Sequence, residues 1–148
     1  MSSYRKILIH LIFRTKSNRT VLIQENSQQL YSYLSGILRN KKCFIYSING
    51  ASDHLHLLSD MHPSIPLADV MRDLKASSSL WIKQSGIFPS FESWSEGYSA
   101  FSVSWADKNR IIDYINNQQI HHSKENFEDE LRRIILENGI EINEQYFP

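Results

Sequence analysis

An α+β fold built on a four-stranded antiparallel sheet is what this 148-residue sequence predicts, and three observations carry it. Strand-like and helical runs follow in the order strand, helix, strand, strand, helix, strand, then two helices. The strand runs are short and apolar, bounded by turn residues. The helical runs repeat their apolar residues at spacings of three and four.

Each element has its own justification. Residues 5–13 form a first strand with Ile7, Ile9, Leu11 and Phe13 on one face, and "RTKSNRT" leaves it as a basic loop. Residues 24–39 are helical, with Leu30, Leu34, Ile37 and Leu38 in phase. "CFIYSI" and "DHLHLLSD" are strands separated by "NGAS", where Asn-Gly signals a hairpin. Pro66 suits the first turn of a second helix burying Leu67, Val70, Met71, Leu74 and Trp81. "QSGIFPSFESWSEGYSA" is a long loop, and "FSVSW" a short strand. Asp107 is placed to cap a helix running through His122. A last helix turns Phe127, Leu131, Ile134 and Ile135 inward and ends at Gly139. This is the split β-α-β order of ferredoxin-like, RRM-like domains: helices on one face of the sheet, plus C-terminal helices, in one domain over residues 1–148. It leaves the other face free, the face that RNA-recognition modules use for single strands.

Composition narrows the class. Charged residues are 22% and apolar residues 41%, as in ordinary soluble proteins. A single cysteine, Cys43, excludes an internal disulfide and fits a reducing cytoplasm. The seven-residue apolar stretch from Ile7 to Phe13 is too short to span a bilayer, so no membrane partner is expected. Net charge is zero, which argues against strong non-specific duplex binding. Charge is uneven, however: residues 1–50 carry eight Lys/Arg and one acid, while residues 101–148 carry five Lys/Arg and nine Asp/Glu. A local anion-binding face on a neutral protein is compatible with that asymmetry.

The chemistry-bearing stretch is "ASDHLHLLSDM". Side chains alternate along a strand, so His54 and His56 share a face with Leu58 while Leu55 and Leu57 face the other way. Imidazoles about 7 Å apart along a strand can converge on one cation. Equally, they are two polar residues on a wet sheet face. A third ligand separates the readings. Downstream, "DKNRIIDYINNQQIHHSKENF" places Tyr114 and Gln118 four apart, stacked on one helical stripe, with His121 one turn on. Gln118 lies about 40° from Tyr114 around a helix and Gln119 about 140°.

Together these motifs resemble the single-tyrosine HUH transposases of bacterial insertion sequences, typified by insertion sequences two-hundred and six-hundred-and-five, and the related REP-associated tyrosine transposases. "DHLHLL" matches the His-hydrophobic-His motif and "YINNQ" the downstream tyrosine-x-x-x-glutamine motif. The first strand with its "FRTK" exit, the "FP…W…GY" loop and the closing "NQQIHHSKENFEDELRRIILENGIE" extend the likeness over nearly the whole chain. The resemblance implies that His54, His56 and Gln118 hold a divalent cation and that Tyr114 attacks DNA. It also implies a homodimer acting on single-stranded DNA with terminal hairpins, in the cytoplasm.

The residue types suit that chemistry. Imidazole and amide donors with vacant positions accept Mg²⁺ or Mn²⁺, which polarise a phosphodiester. A tyrosine with a reference pKa near 10 needs help to lose its proton, and His121 is one candidate acceptor. A phosphotyrosine conserves the energy of the broken phosphodiester, so a second 3′-hydroxyl can reseal the strand. One tyrosine makes one break and moving a segment takes two, which favours a dimer. Arg14, Lys16 and Arg19 after the first strand, with Lys75 and Lys83 on the second helix, are candidates for phosphate contacts. Phe88, Phe91, Trp94 and Tyr98 in the long loop either stack on unpaired bases or pin the loop. Two alternatives accompany the transposase reading: a non-catalytic single-strand-binding module, and a domesticated relative that nicks DNA without moving its own element.

Overall fold

A computed structural model of the chain describes residues 3–147, with His122 described in its backbone alone. Along the chain come β1 (Leu8–Arg14), α1 (Ser27–Asn40), β2 (Phe44–Gly50), β3 (His54–Asp60), α2 (Leu67–Ser85), β4 (Ser99–Ser102), α3 (Lys108–Asn116), α4 (Gln118–Lys124) and α5 (Phe127–Glu137). The expected order holds, and the stretch expected as one helix to His122 divides at Asn117. All strand pairs are antiparallel, in the spatial order β2-β3-β1-β4.

One sheet face packs as predicted. Leu11, Phe13, Leu55 and Leu57 meet Leu30, Leu34 and Leu38 of α1 and Val70, Met71 and Leu74 of α2. The opposite face, expected to be free, is covered. Ile12 and Phe101 pack on Phe127, Leu131 and Ile134 of α5, and Leu8 and Leu58 pack on Ile115 of α3. The reason lies in β1 itself: "LIHLIF" is apolar at both alternating sets of positions. A strand of that kind is buried on both sides.

The β2–β3 connection corrects a local expectation. Asn49 and Gly50 complete β2, and the turn is made by residues 51–53, closed by the Ala51 N–H donating to the His54 carbonyl at 3.0 Å. Gly50 is needed for room rather than for turn geometry. A Cβ there would lie 2.3 Å from the His54 carbonyl oxygen and 2.7 Å from Leu55 Cδ2. Further along β2, the pairing with β3 shifts between Ile45 and Ser47, so Tyr46 is the extra residue of a bulge. Ile45 and Ile48 pack with the α1/α2 core, whereas Tyr46 joins the α3 cluster and Ser47 donates to Asn116 Oδ1 of α3 at 2.6 Å. The bulge thus turns two consecutive side chains toward α3.

The long loop is tied down. Phe88, Phe91 and Trp94 are buried, and the Trp94 indole N–H donates to Ser78 Oγ at 2.9 Å. The Lys75 ammonium donates to the carbonyls of Ser95 at 2.6 Å and Gly97 at 2.8 Å. Asp107 precedes α3, but its side chain makes no cap; its N–H is instead held by Ser104 Oγ at 3.3 Å. Gly139, at φ 75°, follows the end of α5 as expected. Among the described residues no helix is long and apolar enough to cross a membrane.

Gly50→Ala is therefore expected to destabilise the protein by about 1–3 kcal/mol, because backbone must move to admit one methyl group. Chemical denaturation of the two proteins measures this; an unchanged midpoint would mean the β2–β3 turn accommodates the methyl freely.

Candidate functional site

β3 turns His54 and His56 onto the face that α3, α4 and α5 cover, and both are fully buried. Gln118, at the start of α4, is also fully buried, with its Oε1 at 3.0 Å from His54 Nε2. The group that unites them is Glu130 of α5. Its Oε1 lies 3.1 Å from His54 Nε2 and 3.1 Å from His56 Nε2. Its Oε2 accepts from Gln118 Nε2 at 3.1 Å and from the Tyr114 hydroxyl. That hydroxyl also accepts from Arg133 Nη2 at 2.8 Å, and Arg133 is held by Glu125 at 2.6 Å. His121 stacks on the Tyr114 ring, centroids 4.4 Å apart. So four residues singled out in the sequence, His54, His56, Tyr114 and Gln118, converge within one chain.

They converge despite the helix break. Asn117 sits at φ −104°, ψ 25°, yet its N–H still reaches the carbonyls of Asp113 and Tyr114, so α4 leaves α3 by a small turn. The bend is anchored from β2. Asn49 Nδ2 donates to the carbonyls of Ile115 at 3.0 Å and Asn116 at 3.2 Å, beside the Ser47–Asn116 bond.

Both imidazoles have their rear nitrogens occupied. His54 Nδ1 lies 2.7 Å from Asp53 Oδ1, and His56 Nδ1 lies 2.9 Å from Nε2 of the buried His10. The two environments differ in sign. Burial disfavours charge on His54, but hydrogen bonds to Asp53 and Glu130 outweigh it and raise its pKa to about 9. Burial lowers His56 more than Glu130 restores it. Burial, then the neighbouring His56, lowers His10 to about 3, so it is a neutral imidazole. Burial works against charge on Glu130, yet the hydrogen bonds from both histidines hold its pKa well below the usual carboxylate range. Burial and the adjacent Glu130 carboxylate push the Tyr114 phenol well above its ordinary value, and Arg133 opposes this only in part.

The donor set fits a divalent cation. The ligand atoms of His54, His56 and Glu130 all lie within 4.8 Å of one another. Neighbouring donors on an octahedral ion with bonds of about 2.1 Å stand about 3 Å apart, close to the spacing of the Gln118, His54, Glu130 and His56 donors here. The set expected from sequence was wholly neutral; Glu130 adds one negative charge to it. A cleft of about 210 Å³ opens beside the site, lined by His10, Ser102, Arg110, Tyr114, Arg133 and Asn138.

Glu130, His10, Asp53 and Arg133 were not singled out from the sequence. Two of them carried a signal. Residues 127, 130, 131 and 134 form one core stripe, so Glu130 is an acid at a core position. His10 likewise interrupts an apolar strand. Of the basic candidates, Lys16 and Arg19 face Glu92 at 2.9 and 3.6 Å, and Arg14 bonds Asn18. Lys75 holds the long loop, and Lys83 is exposed near the end of α2. Of the loop aromatics, Tyr98 alone is exposed.

The chain is similar to the transposase of insertion sequence element IS200 from Salmonella typhimurium, at 28% identity over 114 residues covering 74% of each chain. The transposase of the same element from Salmonella typhi matches at the same identity and coverage. Its structure resembles that of a protein from Deinococcus radiodurans described as a transposase, with a TM-score of 0.62 and 26% identity over 80% of this chain and 98% of that one. It shares its fold with a REP-associated tyrosine transposase bound to a REP hairpin, with a TM-score of 0.61 at 16% identity over 82% of this chain and 74% of that one. The family model described as transposase, IS200-like, matches residues 3–118, a span that includes His54, His56, Tyr114 and Gln118, and the chain belongs to that family.

Proposed function

We propose that this transposase cleaves and rejoins single-stranded DNA through a covalent 5′-phosphotyrosine at Tyr114, with a divalent cation held by His54, His56, Glu130 and Gln118. The observation that carries the reading is the shared carboxylate: the Tyr114 hydroxyl and both imidazoles meet on Glu130. A nucleophile and a cation site arranged around one group address one phosphorus atom.

When bound, Mg²⁺ or Mn²⁺ would withdraw charge from the non-bridging oxygens of the phosphodiester. The chain's own residues do the rest. Glu130 Oε2 accepts from the Tyr114 hydroxyl and orients it, Arg133, donating to the phenol oxygen, stabilises the phenolate that develops, and the phenol proton passes to solvent through the cleft beside Tyr114. The Tyr114 oxygen bonds to phosphorus, the P–O3′ bond breaks, and the departing 3′-oxygen takes a proton from solvent in the cleft. Rejoining runs the same bonds in reverse with another 3′-hydroxyl. His10 and Asp53 orient the two imidazoles from behind, leaving each Nε2 directed at the shared site. Arg14, Lys16, Arg19 and Lys83 remain phosphate candidates around the rim. A DNA hairpin is the substrate form we favour, as in the REP-associated relative, and a cytoplasmic homodimer supplies the two breaks that moving a segment requires.

Incubation with a single-stranded hairpin oligonucleotide and Mn²⁺ should give a protein–DNA adduct that survives denaturing electrophoresis. Tyr114→Phe should abolish the adduct while retaining DNA binding; an adduct of undiminished yield would remove Tyr114 from the reaction.

Glu130→Gln should weaken Mn²⁺ binding by at least about ten-fold in a calorimetric titration. Equal affinity would show that Glu130 is only a hydrogen-bond partner.

His10→Phe keeps an aromatic ring but removes the partner of His56 Nδ1, and should weaken Mn²⁺ binding by about 10- to 100-fold. A ¹⁵N spectrum of the imidazoles should show a mixed tautomer at His56. Unaltered affinity and tautomer would assign His10 to packing alone.

A further inference from the structure

On the outer edge of the sheet, away from the cation site, lies a strip of aromatic rings that no part of the reaction uses. Phe44 and Trp105 are 62% and 55% exposed, well above what a covered aromatic shows. Tyr46 joins them, with ring centroids 4.9 Å from Phe44 and 6.3 Å from Trp105, both pairs edge to face. Lys108 Nζ lies 3.7 Å from the Trp105 centroid, and Lys6 Nζ 5.2 Å from it and 5.8 Å from that of Tyr46. Beyond Phe44 a second hollow of about 280 Å³ is lined by Arg5, Lys42 and His62. Of the acids beside them, Asp60 is engaged by Lys6 at 3.6 Å and by the Ile7 N–H at 3.0 Å, and Asp107 faces Arg110 at 3.8 Å.

We propose that Phe44, Tyr46 and Trp105, flanked by Lys6 and Lys108, form a stacking surface for unpaired bases of single-stranded DNA. The proposal rests on the reading that the substrate is single-stranded. Its chemistry is that of single-strand binding in general: exposed π-faces take bases without regard to sequence, and cations beside them take the phosphates. Charge complementarity favours a polyanion, since Arg5, Lys6, Lys42 and Lys108 outnumber Asp60 and Asp107 along the strip. A stacked duplex offers no base faces to these rings. The strip is also coupled to the reaction centre. The β2 bulge brings Tyr46 to α3, and Lys108 begins the same helix that carries Tyr114, about 9 Å further along its axis. A strand lying on the strip therefore leads toward the nucleophile.

The test uses the full chain and fluorescence anisotropy with a labelled oligothymidine and with a blunt duplex. Trp105→Leu and Phe44→Leu should each weaken single-strand binding about ten-fold, while Trp105→Phe stays within about three-fold of the parent. Lys6→Gln and Lys108→Gln should each reduce the slope of log affinity against log salt by about 0.7. Melting curves matching the parent certify the fold of each variant, and any variant that fails this is replaced by the lysine pair, exposed Lys6 and half-buried Lys108. Parent-like binding by Trp105→Leu and Phe44→Leu would overturn the proposal. So would equal losses for duplex and single strand, or variants that lose self-association and keep DNA affinity, which would make the strip a protein interface. A parent protein whose single-strand binding depends on Trp105 but which forms no Tyr114 adduct would support the strip and refute the catalytic reading.

Discussion

A single buried carboxylate organises this molecule. Glu130 is 3% exposed and accepts from or faces His54, His56, Gln118 and Tyr114, which come from β3, α4 and α3. An unpaired carboxylate at that depth would be driven to its neutral form by desolvation. Here the donors hold it ionised, and in turn it supplies the acceptor that makes two buried imidazoles and a buried amide tolerable. Removing any one member leaves the others under-satisfied, which is why such networks behave as units. The same dependence fixes α5 onto the sheet, because Phe127, Leu131 and Ile134 flank Glu130 on the face that meets Ile12 and Phe101.

The two histidines of the His-Leu-His stretch are alike in sequence and unlike in chemistry. His54 backs onto an anion, Asp53, and its pKa rises; His56 backs onto neutral His10, and its pKa falls. In the free protein the pair thus combines an imidazolium and a neutral ring around one carboxylate. A cation held there would compete with a proton for His54 and would meet His56 as a neutral ring. Proton and cation therefore compete mainly at one of the two rings.

Much of the fold was legible because its signals are local. Apolar phase located α1, α2 and α5, a short apolar run located β1, and the His-Leu-His-Leu alternation located β3. The hairpin was misplaced because Asn-Gly commonly makes turns, whereas Gly50 answers to a contact with His54 and Leu55 that only the folded chain creates. The supposed open face was already contradicted by "LIHLIF", apolar at both parities, but a count of ferredoxin-like elements assigned the C-terminal helices no place. In the site, His54, His56, Tyr114 and Gln118 were readable from spacing and resemblance. Glu130 and Arg133 follow the span that the family pattern matches, so no motif pointed to them. Only a charged residue in an apolar stripe betrayed Glu130, and the partner that explains it lies 74 residues away in sequence.

The placement of Tyr114 follows from the edge strand rather than from its own helix. α3 is short, and a kink at Asn117 separates Tyr114 from Gln118, so helical phase alone does not hold these two side chains in register. β2 does. Ser47 and Asn49 grip the carbonyls and side chain at the end of α3, and the bulge at Tyr46 is what allows Ser47 to face that way. β2 pairs with β3, which carries the histidines, so side-chain hydrogen bonds from β2 to α3 and backbone pairing from β2 to β3 together link the tyrosine helix to the imidazoles. α5 closes the site from the other side through Glu130 and Arg133. Between α3 and α5 lies the cleft at Tyr114, where Arg110 faces Asp107 at 3.8 Å and Arg133 faces Glu125 at 2.6 Å and Glu137 at 3.4 Å.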